Sequence, residues 1–203
     1  MRVAILGGTG KFGRGLAVRL AATGHGVTIG SRSEGRGAAT AAELGVDGTS
    51  NRLAAGRADL VVMAVEAYAA LDTAREIRPC LRVPLLSVAS QIDFAAGRAF
   101  PIPGPSVAEQ ISEIVDVPVV AGLHSLAAGK LVERAPDEDA FVCGSDEESK
   151  LLALELAGDV VAGRAIDCGG LSVARALEAM TAVLLNVNRR YKTHAGIRLT
   201  GLP

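Results

Sequence analysis

Residues 7–13 read Gly-Gly-Thr-Gly-Lys-Phe-Gly, with an apolar run before them and a helical pattern after. Gly8, Gly10 and Gly13 stand at G-x-G-x-x-G spacing. In that spacing Gly8 permits a tight turn, Gly10 lets the backbone approach a pyrophosphate, and Gly13 lets the following helix pack close to the strand. The start of the helix then offers backbone N–H groups and a positive dipole end to phosphate oxygens. The motif alone is generic, but a strand before it and a helix after it favour a dinucleotide site over a ligand-free glycine turn. No G-K-[ST] closes the loop, which excludes a nucleoside-triphosphate loop of the Walker type.

About twenty residues further on, a binder of NAD places an Asp or Glu for the ribose 2′-hydroxyl. This chain reads Gly30-Ser31-Arg32-Ser33 there. A carboxylate would repel a 2′-phosphate, whereas the Arg32 guanidinium pairs with one. Arg36, four residues on, shares a helix face with Arg32, and Thr9 and Ser31 add hydroxyl donors. These residues predict NADP(H) rather than NAD(H); the plainer alternative for Arg32 is a solvated surface charge. Acid–base chemistry is sparse. A Tyr-x-x-x-Lys pair is missing, since Tyr68 and Tyr191 are followed at that offset by Asp72 and Ala195. No His/Cys/Asp cluster has metal-ligand spacing, so no metal is expected. Such a chain suits a second ligand that is itself a redox cofactor, for which protein supplies mainly orientation.

These residues need a scaffold, and the apolar pattern supplies one. Short buried strands are predicted at 2–6, 27–30, 60–65, 83–88 and 117–123, with weaker ones within 45–51, at 140–142 and at 164–167. Helices are predicted at 12–22, 34–44, 51–56, 69–77, 106–115, 146–158 and 171–191. Ser106 and Glu109 form a capping-box pattern. The segment 94–105, with three prolines and two glycines, reads as a long loop. Strand–helix alternation predicts an α/β class, a Rossmann-type doubly wound and mostly parallel sheet with helices on both faces and a small C-terminal α/β extension. The 203 residues divide as a dinucleotide-binding unit at 1–125 and a small lobe at 126–203 that helps form the second-substrate cleft. The apolar content of 49% against 3% aromatics makes the core aliphatic.

Net charge of −1 with no basic stripe argues against a nucleic-acid partner. No apolar run approaches the ~20 residues of a membrane span. Cys80, Cys143 and Cys168 lack C-x-x-C spacing and read as small buried hydrophobes of a reducing cytoplasm. A homodimer is the expected assembly, with the apolar face of 171–191 as one candidate surface.

AILGGTGKFGRGLAVRLA followed by GSRS resembles the NADPH-dependent coenzyme F420 reductases, the F420H2:NADP oxidoreductases. The resemblance continues through LDTARE, GLHSLAA, VCGSDEESK and LLNVNRR and covers nearly the whole chain. It implies hydride transfer between carbon 4 of a nicotinamide and carbon 5 of a deazaflavin, coenzyme F420. It implies Thr9, Gly10, Lys11 and Phe12 around the pyrophosphate and ribose, and Ser31, Arg32 and Arg36 on the 2′-phosphate. Val65 and Leu71 would flank the nicotinamide side. His124, Leu126 and Ala128 would line the junction of the two rings, His124 and Leu126 on the deazaflavin.

His124 follows the sixth predicted strand. It reads either as a hydrogen-bond partner for a ring carbonyl or for developing negative charge, or as a structural histidine bonded to backbone; the resemblance favours the first. No other catalytic side chain is expected. His25 is expected at the surface. His194, with Arg189, Arg190 and Lys192, either meets an acidic tail of the second ligand or caps the helix dipole. Two rival functions share the same glycine loop: an NADPH-dependent metal or quinone reductase, and a non-catalytic NADP sensor.

Overall fold

The run Leu60–Met63 is apolar at every position and buried at every position, as strands covered on both faces require. The computed structural model describes residues 1–202. Its elements are β1 (Arg2–Leu6), α1 (Lys11–Ala22), β2 (Gly26–Ser31), α2 (Glu34–Leu44), β3 (Asp47–Ser50), α3 (Asn51–Ala55), β4 (Leu60–Met63), α4 (Ala67–Ile77) and β5 (Leu85–Ser87). Then follow β6 (Ile92–Ala95), β7 (Arg98–Pro101), α5 (Val107–Ser112), β8 (Val119–Gly122), α6 (Ala128–Glu133), β9 (Ala140–Gly144), α7 (Glu147–Val160) and β10 (Ala165–Asp167). A 3-10 turn at Leu171–Val173 leads into α8 (Ala174–Tyr191).

Eight strands form one sheet in the order β10-β9-β8-β5-β4-β1-β2-β3. Every pairing is parallel except β8 with β9. Successive side chains on a strand point to opposite faces, so Val3 and Ile5 enter one core and Ala4 and Leu6 the other. Helices α1, α2, α6 and α7 cover the first core; α3, α4, α5 and α8 cover the second. This is the doubly wound α/β class that the strand–helix alternation predicts. Residues 126–202 contribute α6 to α8, and their strands β9 and β10 continue the same sheet beyond β8.

Two local features differ from the sequence reading. The segment 94–105 is not a plain loop, because β6 and β7 pair as an antiparallel hairpin. Its turn, Ala96-Gly97, has φ of 46° and 71°. Two positive φ values suit a tight hairpin turn, but Ala in place of Asn or Asp hides the signal. The hairpin rests on α8, where the Asn186 amide accepts from Ala99 N–H at 2.9 Å and donates to Ala99 C=O at 2.8 Å. Helix α6 was not anticipated either, being six residues with no side-chain cap. The capping box at Ser106 is present: Ser106 Oγ accepts from Glu109 N at 3.0 Å, and Glu109 Oε2 accepts from Ser106 N at 2.7 Å.

Candidate functional site

The sheet reverses direction of winding between β1 and β4. The crevice beyond their carboxyl ends is where ligands of open α/β sheets bind. Two clefts meet there. A cleft of about 410 Å³ runs over the glycine loop and the end of β2. A second, of about 290 Å³, opens toward β6 and α8, and the two share Ala64, Val65 and Glu66.

The glycine loop is built as expected with one shift of role. The left-handed turn falls on Gly7, at φ +82°, rather than on Gly8. Gly8 is required for packing instead, since a Cβ there would lie 2.8 Å from the Ile29 side chain. A Cβ on Gly13 would lie 2.7 Å from Gly8 Cα, which confirms the close approach of α1 to the turn. Gly10 is the N-cap of α1 and has no side chain to obstruct its amides. Thr9, Gly10, Ser31, Arg32, Arg36 and Val65 line the first cleft. Phe12, Val65, His124 and Leu126 line the second. Lys11 is exposed at the first turn of α1. Leu71 packs against the core under α4, and Ala128 opens α6; neither lines a cleft.

The first cleft has the chemistry of an anion site. The arginine ion pairs among the described residues involve Arg2, Arg14, Arg75, Arg78, Arg164 and Arg198. Arg32 and Arg36 are in none of them and face the cleft with Ser31 and Ser33. Guanidiniums without carboxylate partners at the end of β2 and the start of α2, a loop with glycine at 7, 8 and 10, and a helix N-terminus fit a dinucleotide with a 2′-phosphate. Tyr68, Asn51 and Thr73, which sequence reasoning did not single out, complete this wall. Tyr68 is 84% exposed, so its ring is free to meet a ligand.

The second cleft is mostly apolar, with Phe12, Val88, Ile92, Phe94 and Leu185 among its walls. His124 is buried, its Nε2 lies 3.3 Å from the Ala89 carbonyl, and its Nδ1 has no partner. A carbonyl only accepts, so Nε2 carries the hydrogen. Burial pushes the His124 pKa down to about 4, so the ring is neutral near pH 7. Its one N–H is committed to backbone and not to a ring carbonyl in the cleft. Thr181 Oγ1 donates to the His124 carbonyl at 3.1 Å and lies 2.8 Å from Ser90 Oγ. Neither hydroxyl was foreseen. Thr181 sits inside an apolar helical run, and Ser90 on a connection after β5, where spacing carries no signal.

His25 is not a free surface group, since Nε2 lies 2.8 Å from Asp159 Oδ2 and its side chain is 5% exposed. His194 lies near Gly129 of α6, and Arg189 donates to the Gly97 carbonyl. Burial raises the Cys143 thiol to about 12 and raises that of Cys168, so both are poor nucleophiles. No group of three or more His, Cys, Asp or Glu among the described residues is placed to hold a metal ion.

Fold and crevice together define a dinucleotide-binding α/β protein. Residues 2–91 match the family model described as NADP oxidoreductase coenzyme F420-dependent. The chain is 34% identical to the F420-dependent NADP reductase of Methanothermobacter thermautotrophicus, covering 100% of this chain and 96% of that protein. It is 33% identical to the F420-dependent NADP reductase of Methanocaldococcus jannaschii, covering 100% and 99%. A crystal structure of a candidate F420-dependent NADP-reductase from Arthrobacter sp. FB24 superposes with a TM-score of 0.84 at 29% identity, covering 98% of this chain and 99% of that one. The chain belongs to the family of F420-dependent NADP oxidoreductases.

Proposed function

We propose that this protein transfers a hydride between NADP(H) and the deazaflavin coenzyme F420. One observation carries the reading: an anion-binding cleft and an apolar ring-sized cleft share the wall Ala64-Val65-Glu66, and the titratable side chains of the second are the exposed Glu66 at its rim and His124, which is buried, neutral near pH 7 and bonded to backbone. When bound, the nicotinamide and the deazaflavin supply the hydride chemistry themselves. The chain binds and orients. Gly7, Gly8, Gly10 and Gly13 admit the pyrophosphate to the amides of α1. Ser31, Arg32 and Arg36 hold the 2′-phosphate. Val65, Phe12 and Leu126 press the rings together and exclude water, and His124 supports that wall through Ala89 rather than by proton transfer. Acceleration then comes chiefly from proximity.

Leu71 and Ala128 act only through the elements they sit on. We assign residues 1–125 to dinucleotide binding and 126–203 to completing the ring cleft. A cytoplasmic homodimer without a nucleic-acid partner is the expected state. No helix of the described residues is long and apolar enough to cross a membrane. Leu185 on α8 and Phe94 on the hairpin, both exposed and both at the ring cleft, offer apolar surface suited to a second copy. Light scattering on the purified protein checks the dimer.

The functional test mixes purified protein with NADPH and oxidised F420 and follows the deazaflavin's visible absorbance. Bleaching that needs both ligands and the protein is expected. Tight NADPH binding without bleaching overturns the reading in favour of a sensor. Turnover with a quinone or ferric salt but not the deazaflavin overturns it in favour of another reductase.

A further inference from the structure

Three side chains that line the ring cleft carry a hydrogen able to bond: Ser90, His124 and Thr181. Each hydrogen has a traceable destination. The neutral His124 gives its N–H to the Ala89 carbonyl. Thr181 Oγ1 lies 3.1 Å from the His124 carbonyl, an acceptor that no other N–H or O–H reaches among the described residues, and the single hydrogen of Thr181 satisfies it. Ser90 Oγ lies 2.8 Å from Thr181 Oγ1. Of two hydroxyls in contact one must donate, and Thr181 has no hydrogen left. Ser90 is therefore the donor of that pair, and its own only hydrogen is turned away from the cleft.

Half-buried Ser90 consequently shows the cleft lone pairs and nothing else. The remaining side-chain polar atoms on this wall, the Glu66 carboxylate when ionised and the buried, unpartnered Nδ1 of neutral His124, also only accept. A ligand carbonyl placed at Ser90 would face a lone pair. A ligand N–H placed there completes the relay N–H → Ser90 → Thr181 → His124 C=O, in which every hydroxyl both accepts and donates.

We infer that Ser90 Oγ accepts a hydrogen bond from an amide or imide N–H of the molecule in the ring cleft, and so selects ring systems that present such an edge. The inference rests on the proposed reading that this cleft holds the reacting rings. Two sources fit the chemistry: the carboxamide of the nicotinamide, and the imide N–H of the deazaflavin. A site that bonds a ligand N–H discriminates against the analogue lacking it.

The test measures dissociation constants of wild type, Ser90→Ala and Ser90→Cys. The second variant nearly keeps the side-chain volume while replacing the oxygen by a weak acceptor, and thermal melts verify that both fold. One arm compares NADP⁺ with its 3-acetylpyridine analogue, in which a methyl replaces the carboxamide NH₂ at similar size. The other compares F420 with its imide N-methyl derivative. In one arm wild type prefers the N–H ligand by between about two-fold and about ten-fold, the range of a neutral hydrogen bond. Both variants lose that preference because the N–H ligand weakens, not because the analogue gains. The arm that responds names the source. Unchanged preferences in both arms overturn the inference. If wild type fails to bind F420, the functional reading falls, and the nicotinamide arm still decides for or against Ser90.

Discussion

Replacing Arg32 by Glu should invert the cofactor preference, and its size follows from the site. Arg32 is exposed at the end of β2, has no carboxylate partner among the described residues, and shares the cleft with Arg36. Losing one charge-assisted hydrogen bond costs about 2 kcal/mol. A carboxylate near the same phosphate adds repulsion. Unit charges ~4 Å apart interact by about 1 kcal/mol in bulk water and about 4 kcal/mol near a protein surface, and exposure places this pair toward the lower value, about 2 kcal/mol. The sum, about 4 kcal/mol, is a loss of roughly a thousand-fold in kcat/KM for NADPH. NADH has no 2′-phosphate contact to lose, and the new carboxylate can accept from its ribose 2′-hydroxyl. An exposed, unpaired side chain contributes little to folding, so the melting temperature should stay within experimental scatter. The assay is steady-state kcat/KM for both cofactors with saturating F420, at low and at high salt, because screening should shrink the effect. A preference within about three-fold of wild type would refute the assignment of the 2′-phosphate to this end of the cleft.

Gly13→Ala should weaken NADPH binding by at least about ten-fold by calorimetry, because its Cβ would lie 2.7 Å from backbone at Gly8. Gly35→Ala, with open space around it in α2, should instead stabilise by about 0.5–1 kcal/mol. His124 should titrate near pH 4 in an NMR experiment assigned with His124→Gln, and a midpoint near 6.5 would contradict the neutral, backbone-bonded ring. Since the unfolded chain takes that proton first, its contribution to stability is lost as pH falls from about 6.5 toward 4. Asp139 is fully buried and accepts from the Arg164 guanidinium and backbone and from Leu199 N, which hold its pKa far below the usual carboxylate range. Its contribution is present above about pH 4 and lost on further acidification, and Asp139→Asn should lower Tm by about 6–12 °C and flatten the acid limb. With no Trp in the chain, emission comes from two tyrosines. Binding 2′,5′-ADP should quench it in wild type and Tyr191→Phe but not in Tyr68→Phe, and quenching in the last would exclude Tyr68 from contact with the nucleotide.

What was legible in the sequence is what a local pattern encodes. Strand β4 announces itself because double coverage demands four consecutive apolar residues, and Ser106 with Glu109 because a capping box needs only one turn of helix. The position of Arg32 on the first cleft was legible because its place is counted from the glycine loop. The hairpin β6–β7 was not, because Ala96 adopts φ of 46° without the Asn or Asp that usually marks such a turn, and because its partner surface is α8, some ninety residues away. Gly7 was passed over for a related reason: four glycines in seven positions leave the left-handed one undetermined until the chain is closed against Ala64. Ser90 and Thr181 lie 91 positions apart and meet only through the tertiary fold.

The last long helix explains why a chain with so few acids and bases can still build a reaction site. Along its length α8 ties the ring cleft to the elements around it. The Glu178 carboxylate accepts from Ala108 N at 3.2 Å, Thr181 bridges Ser90 and the His124 carbonyl, and Asn186 holds β7 by both backbone groups of Ala99. Burying Glu178 raises its pKa, and backbone amides of Val107, Ala108 and Gln91 oppose that shift; a carboxylate in such a position serves to fix loops, not to exchange protons. Every hydrogen on the polar wall is thereby committed inside the protein. A hydride moves between two ring carbons with its electron pair and needs no proton from the wall. It needs the rings held face to face and water kept out. Side chains that anchor the wall instead of reacting with the ligand are what such a transfer calls for, and α8 is where this chain concentrates them.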